Sequence, residues 1–248
     1  EMFVEAGVPS DVFAAVVGGG DVGAQLLSED INGLFFTGSL ATGQKLAAVT
    51  APRMIRTQLE LGGKDPHYVC DDVADVKGAA AALCDGAMFN AGQSCCSVER
   101  IYVHESIAEE FIAGVVETAE SFKMGDPTSS DTYIGPMALP TAPAFLQSQV
   151  DDAVAKGATL HVGGALVPDQ PRFYPPTVLS GVDHTMSLMR DESFGPIIGI
   201  QTVSSDEEAL ALMNDTEFGL TSGVWSADQA RAEGLLAQVN SGTAYWNC

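Results

Sequence analysis

Apolar residues in this chain fall into short blocks separated by glycines and polar turns. Compact apolar runs bounded by turn residues predict buried strands, and longer stretches with recurring apolar positions predict helices. Strands are expected over 12–17, 33–36, 58–61, 67–69, 100–103, 159–162 and 197–203. Helices are expected over 22–27, 42–49, 75–88, 107–122, 144–156 and 206–213. Gly125-Asp126-Pro127 reads as a turn and 163–171 as a loop. Such alternation points to α/β layers around largely parallel sheets. Gly62 and Gly63 interrupt it, so a domain boundary is expected there, dividing 1–62 from 63–248.

The 248 residues are 46% hydrophobic and 18% charged, enough apolar material for a sizeable core. No apolar run approaches the ~18 residues of a membrane span, and Glu1 to Ala6 lack the basic start of a secretory signal. The net charge of −22, from 33 acidic and 11 basic side chains, repels phosphate backbones and argues against nucleic acid as a partner. An anionic cofactor would have to be held by backbone N–H groups and a few placed side chains. Five cysteines, at 70, 84, 95, 96 and 248, form no C-x-x-C pair. That count disfavours a metal site or a disulfide framework and fits a reducing, cytoplasmic setting.

Candidate chemistry gathers in a few stretches. Gly18-Gly19-Gly20-Asp21-Val22-Gly23 matches G-x-G-x-x-G after an expected strand. It reads either as a pyrophosphate loop or as a tight turn; no acidic residue closes a strand about 20 positions on, which favours the turn. Phe35-Phe36-Thr37-Gly38-Ser39, with Gly43 further on, ends a strand and opens a helix. The free N–H groups there suit a phosphate, and Ser39 equally suits a simple N-cap. Glu60 stands among leucines and glycines in Gln58-Leu59-Glu60-Leu61-Gly62-Gly63-Lys64. Cys95 lies in Phe89-Asn90-Ala91-Gly92-Gln93-Ser94-Cys95-Cys96, a polar, glycine-containing loop that argues for the exposure a nucleophile needs. A thiol nucleophile and a general base are the two parts required to form a thioester and then hydrolyse it. Cys96 is expected to point elsewhere and pack, as are Cys70 and Cys84 in the core. His67, His104, His161 and His184 are isolated and expected at the surface or at strand ends. In Asp191-Glu192-Ser193-Phe194-Gly195-Pro196 a carboxylate precedes an aromatic ring, suited to ribose hydroxyls and a flat heterocycle; a solvated turn with a buried Phe is the other reading.

Taken together, these stretches resemble the aldehyde dehydrogenase superfamily from the first residue to the last. Phe36-Thr37-Gly38-Ser39 with Gly43, Leu59-Glu60-Leu61-Gly62-Gly63-Lys64, the Cys95 loop and the Glu192 loop follow the family's order. Lys123-Met124-Gly125-Asp126-Pro127, Pro175-Pro176-Thr177-Val178-Leu179 and Phe218-Gly219-Leu220-Thr221-Ser222-Gly223-Val224 are smaller echoes. The resemblance implies part of a Rossmann-type cofactor domain followed by an α/β catalytic domain. It also implies that the chain is an internal piece of roughly half an enzyme, inactive alone. The parts outside it would carry the first cofactor-domain strands, an oxyanion-holding Asn, the residues that sort NAD from NADP, and part of an oligomerisation strand.

By the same resemblance Cys95 is the nucleophile, its backbone N–H helps hold the oxyanion, and Glu60 activates the deacylating water. Gly38, Ser39, Gly43 and Leu61 line the NAD (or NADP) site, Glu192 accepts from the nicotinamide ribose, Phe194 packs near the ring, and Lys64 is structural. No metal is implied. The expected partner is a small aldehyde, with neither nucleic acid nor membrane, and the full-length protein is expected as a homodimer or homotetramer. Retention of Glu60 favours hydrolysis to a free acid over transfer to coenzyme A, because water attack would compete with transfer. Keeping both Cys95 and Glu60 argues against a non-catalytic family member. Two stretches depart from the family pattern: Ser97-Val98-Glu99-Arg100 places a charge close to the nucleophile in sequence, and Asp65-Pro66-His67 follows the Lys64 segment. Both lie where they would bear on substrate choice or cysteine acidity.

Overall fold

The computed structural model describes residues 2–248. The chain is α/β and separates into two units, Glu1–Leu61 and Gly62–Cys248.

The first unit holds helix α1 (Met2–Glu5), helix α2 (Gly20–Ser28), strand β1 (Gly33–Thr37), helix α3 (Leu40–Thr50) and strand β2 (Arg56–Glu60). β1 and β2 pair in parallel, joined by α3 as a β-α-β crossover. The expected strand over 12–17 does not form. Its side chains are apolar enough, but a strand exists only through hydrogen bonds to a neighbour, and the β1–β2 ladder leaves this segment unpaired. Val12, Val16 and Val17 are exposed in consequence. Gly18-Gly19-Gly20 therefore follows no strand; Gly19 is the N-cap of α2 and Gly20 its first residue.

The second unit is one seven-stranded sheet. Its strands are β3 (Asp65–Val69), β4 (Val98–His104), β5 (Thr159–Val162), β6 (Thr177–Ser180), β7 (Ile197–Val203), β8 (Thr221–Trp225) and β9 (Thr243–Trp246). The order across the sheet is β5-β6-β7-β4-β3-β8-β9, and β5 alone runs antiparallel to its neighbour. The helices are α4 (Val76–Met88), α5 (Ala108–Ser121), α6 (Ala142–Ala155), α7 (Ser187–Arg190), α8 (Asp206–Asn214) and α9 (Gln229–Leu236). Tyr68, Val69, Ile101, Tyr102, Val103, Ile198 and Ile200 are fully buried, as central parallel strands require. Each such Val or Ile contributes about 1.5–3 kcal/mol of burial.

Alanines let α4 lie close to α5: a β-carbon on Gly114 would stand 2.9 Å from that of Ala80. Asp75 caps α4 by accepting from the Gly78 N–H at 2.9 Å. Phe122 leaves α5 to stack on Tyr133 at 4.0 Å. Among the described residues no helix is long and apolar enough to cross a membrane.

One consequence of the topology matters for chemistry. β3, β4 and β7 are adjacent and parallel, so the segments entering them emerge side by side at one end of the sheet. Those segments carry Lys64, Cys95 and Glu192.

Candidate active site

The loop that carries Cys95 is strained. After α4 the backbone passes through Asn90, Ala91 and Gly92 at φ 54, 57 and 66°, three left-handed residues in succession. For Asn and Ala each costs on the order of 1–3 kcal/mol, and such strain collects at functional sites. Hydrogen bonds offset it. Asn90 Nδ2 donates to the Gln93 carbonyl at 3.0 Å, and Gln93 Nε2 donates back to the Asn90 carbonyl at 3.1 Å. Gln93 Oε1 accepts from the Ala138 N–H at 2.6 Å, tying the loop to the segment before α6. Ser97 Oγ donates to the carbonyls of Gly86 and Ala87 at the end of α4. Gly92 is required sterically as well, since a β-carbon there would lie 2.2 Å from the Gly195 carbonyl oxygen.

Cys95 is half-buried, while Cys96 is exposed, with its sulfur 3.3 Å from Ser94 Oγ. Cys96 was expected to pack; it is exposed instead, and Cys95 is the more buried of the two. Burial pushes the Cys95 thiol above its ordinary range, with Cys96 and Asp65 adding smaller contributions. Cys70 and Cys84 are buried, and burial pushes both thiols up to about 12, so they are inert packing.

Beside this loop a buried polar clamp joins three strands. Lys64 Nζ lies 2.6 Å from Glu99 Oε2, with Lys64 1% and Glu99 4% exposed. Glu99 also accepts from the N–H groups of Ser193, at 2.8 and 3.1 Å, and Phe194, at 2.9 Å. Lys64 donates a second bond to Ser193 Oγ at 3.0 Å. Burial pulls the Lys64 ammonium below its usual range, and Glu99 opposes that pull. Removing one member of such a pair leaves an uncompensated buried charge and costs about 3–5 kcal/mol.

Glu192 is half-buried and accepts from the Gly63 N–H at 3.0 Å. Burial raises its carboxyl above the ordinary value, and the Gly63 bond works against that shift. Phe194 has φ 49° and is 41% exposed, so the reading of a buried Phe does not hold. A cleft of about 290 Å³ opens here, lined by Gln93, Met137, Leu139, Phe145, Glu192 and Phe194. The 137–145 wall carried no sequence motif; apart from Thr141 its cleft-lining side chains are ordinary apolar ones, and the Gln93–Ala138 bond ties them to the Cys95 loop.

Asp65 and His67 line the strand beneath. Asp65 accepts from the Thr221 N–H at 3.1 Å and from Thr221 Oγ1 at 2.5 Å, and burial pushes it up to about 6. His67, expected near the surface, is buried inside β3, where it accepts from Trp225 Nε1 at 3.4 Å. Burial lowers it to about 4, so it is neutral at physiological pH. His184 is likewise enclosed, with Tyr102 Oη and Asp215 Oδ2 each 2.7 Å from a ring nitrogen. His104 accepts from the Ser106 N–H at the start of a turn, and His161 is exposed.

In the first unit Ser39 is the N-cap of α3, its Oγ accepting from the Thr42 N–H at 3.3 Å. The Gly38 N–H donates to the Glu60 carbonyl at 3.0 Å, fixing the Gly-Ser turn to the end of β2. Gly43 faces Leu61: a β-carbon at 43 would lie 2.5 Å from Leu61 Cδ2, so these two are packing partners. Glu60 is exposed at the end of β2, and its Oε1 accepts from Gln58 Nε2 at 3.1 Å. Within the first unit the N-terminus of α3 fits a phosphate; within the second, a half-buried carboxylate fits hydroxyl donors and an exposed ring fits a flat heterocycle.

The strand entries of this sheet thus bring a half-buried thiol, a half-buried carboxylate and an exposed aromatic ring together as one candidate site. The model of the aldehyde dehydrogenase family matches residues 1–248, and the chain belongs to that family. A Mycolicibacterium smegmatis protein with the provisional name succinate-semialdehyde dehydrogenase [NADP(+)] is 41% identical over 244 residues, 98% of this chain and 47% of that protein. Betaine aldehyde dehydrogenase of Brucella anthropi is 35% identical over 252 residues, covering all of this chain and 52% of its own. The crystal structure of an NAD-dependent aldehyde dehydrogenase from Sinorhizobium meliloti superposes with a TM-score of 0.94 at 36% identity, over 99% of this chain and 49% of that one. The chain thus spans about half the length of the relatives it matches.

Proposed function

We propose that the full-length protein oxidises an aldehyde to a carboxylic acid with NAD+ or NADP+. The observation that carries this reading is the position of Gly63. Its N–H donates to Glu192, and its α-carbon abuts the Cys95 carbonyl, so the Cys95 loop and the segment that carries Glu192 and Phe194 meet at one residue.

In this reading Cys95 gives up its thiol proton to solvent, Sγ bonds to the aldehyde carbon as the carbonyl π pair moves onto oxygen, and the Cys95 N–H helps hold the resulting thiohemiacetal oxyanion. When bound, the oxidised nicotinamide supplies a hydride acceptor and a positive charge. Glu192 orients the ribose, Phe194 lies along the ring, and Gly38 and Ser39 receive the pyrophosphate at the start of α3. Cys95 then carries the carbon as a thioester. Glu60 takes a proton from water, the resulting hydroxide equivalent adds to the thioester carbonyl, and the C–S bond breaks to release the acid. Glu60 ends one unit and Cys95 belongs to the other, so their convergence on one pocket is part of the proposal. Assembly as a homodimer or homotetramer and a cytoplasmic location belong to it too, with light scattering as the check on assembly.

The experiment is to express the full-length protein and follow reduced cofactor across a set of aldehydes, with and without coenzyme A. Turnover without coenzyme A, yielding the free acid, supports the reading. Turnover only with coenzyme A would replace hydrolysis by acyl transfer, and no cofactor reduction with any aldehyde would remove the reading altogether.

A further inference from the structure

Glu99 has surroundings that give its buried carboxylate a task. It lies near the start of β4, which is flanked by β3 on one side and β7 on the other. A side chain there can reach the segments entering both neighbours, and the Glu99 carboxylate does so. Toward β3 it takes the Lys64 ammonium at 2.6 Å. Toward β7 it takes the successive N–H groups of Ser193 and Phe194, at a place where Phe194 has φ 49°. Paired N–H groups around a left-handed residue form a natural anion receptor, and here the anion is built in.

Glu192 completes the arrangement from the opposite direction, because it accepts from Gly63, the residue before Lys64. Two carboxylates thus cross between the same two segments: Glu99 holds the backbone of 193–194, and Glu192 holds that of 63. The side chains left facing the cleft are those of Glu192 and Phe194.

We infer that Glu99 is a positioning residue whose carboxylate, braced by Lys64, sets the 192–194 segment so that Glu192 and Phe194 meet the nicotinamide ribose and ring. This rests on the function proposed above. Glu99 touches neither substrate nor cofactor; it acts through the backbone it holds. Its removal should therefore weaken cofactor binding more than it harms the thiol.

The test uses the full-length protein and two assays: aldehyde oxidation, giving KM for the cofactor, and cofactor-free cleavage of p-nitrophenyl acetate, read as the first-turnover release of p-nitrophenol, which needs only a working thiol. Glu99→Gln keeps the shape but puts an amide N–H₂ where donors already point. The expected result is a rise of about tenfold or more in cofactor KM, with ester cleavage changed by less than about threefold. Lys64→Met/Glu99→Gln removes the stranded ammonium as well and should show the same rise in KM. Should Glu99→Gln fail to fold, this double variant and Glu99→Asp, which keeps the charge, carry the comparison. An unchanged KM overturns the inference, as does a parallel fall of both activities. A return to wild-type KM in the double variant also overturns it, because the single change would then have acted only through the orphaned charge. A wild-type protein that reduces no cofactor fails the functional reading itself, and the inference falls with it.

Discussion

A β-carbon built on Gly63 would stand 2.2 Å from the carbonyl oxygen of Cys95. That oxygen is backbone, at the strained end of a loop held by Gln93 and Gly92, so it has no flexible side chain's freedom to give way. Gly63 is buried, and the Asp65 carboxylate closes it from another side, 3.0 Å from the same added carbon. Any side chain at 63 must therefore push the Cys95 loop or break the bond to Glu192.

For Gly63→Ala in the full-length protein, a displacement approaching 1 Å at the thiol should lower kcat/KM for aldehyde oxidation by about 100-fold. Ester cleavage should fall alongside, because the thiol itself moves. Activity within twofold of wild type would mean that the contact imposes no constraint on the chemistry.

Cys95→Ala should abolish both aldehyde oxidation and ester cleavage, by at least about 1,000-fold. Cys96→Ala should keep most of both, since its sulfur is exposed and lies against Ser94 Oγ. Steady-state rates of the two variants decide the matter. Loss on changing Cys96 and survival on changing Cys95 would move the nucleophile by one residue.

The strand entries were legible in the chain because their chemistry is local. Gly92, Gln93 and Cys95 sit within a few residues of one another, as do Glu192 and Phe194, so each stretch reads as a candidate on its own. The clamp was not legible. Lys64, Glu99 and Ser193 meet only because three parallel strands lie side by side, and parallel pairing joins segments far apart in sequence. His67 misled for a related reason: in a strand buried on both faces no alternation warns that a polar residue is inside. The 12–17 segment failed in the opposite sense, since it has strand-like residues without a strand beside it.

Glu60→Gln should separate acylation from deacylation. If Glu60 activates the water, the variant still forms the thioester, giving one rapid burst of reduced cofactor per active site before turnover stalls. Stopped-flow absorbance on the full-length protein shows this directly. Undiminished steady turnover would remove Glu60 from the mechanism.

Asp65 and His67 make opposed contributions to stability against pH. Asp65 is raised from 3.8 to about 6 in the fold, chiefly by burial. Its contribution is present at low pH and is lost as pH rises through about 6. His67 is lowered from 6.5 to about 4, again by burial. Its contribution is present above 6.5 and is lost as pH falls through about 4. Between these limits the two slopes offset in the wild type, each worth on the order of 2–3 kcal/mol across the window. Asp65→Asn should therefore gain stability relative to wild type as pH rises from about 4 to 6, and His67→Gln should gain as pH falls from about 6.5 to 4. Thermal melts of the full-length variants across this range, read as the difference in Tm from wild type at each pH, check both signs. Two difference curves of the same sign, or two flat ones, would mean that neither group titrates differently in the folded protein.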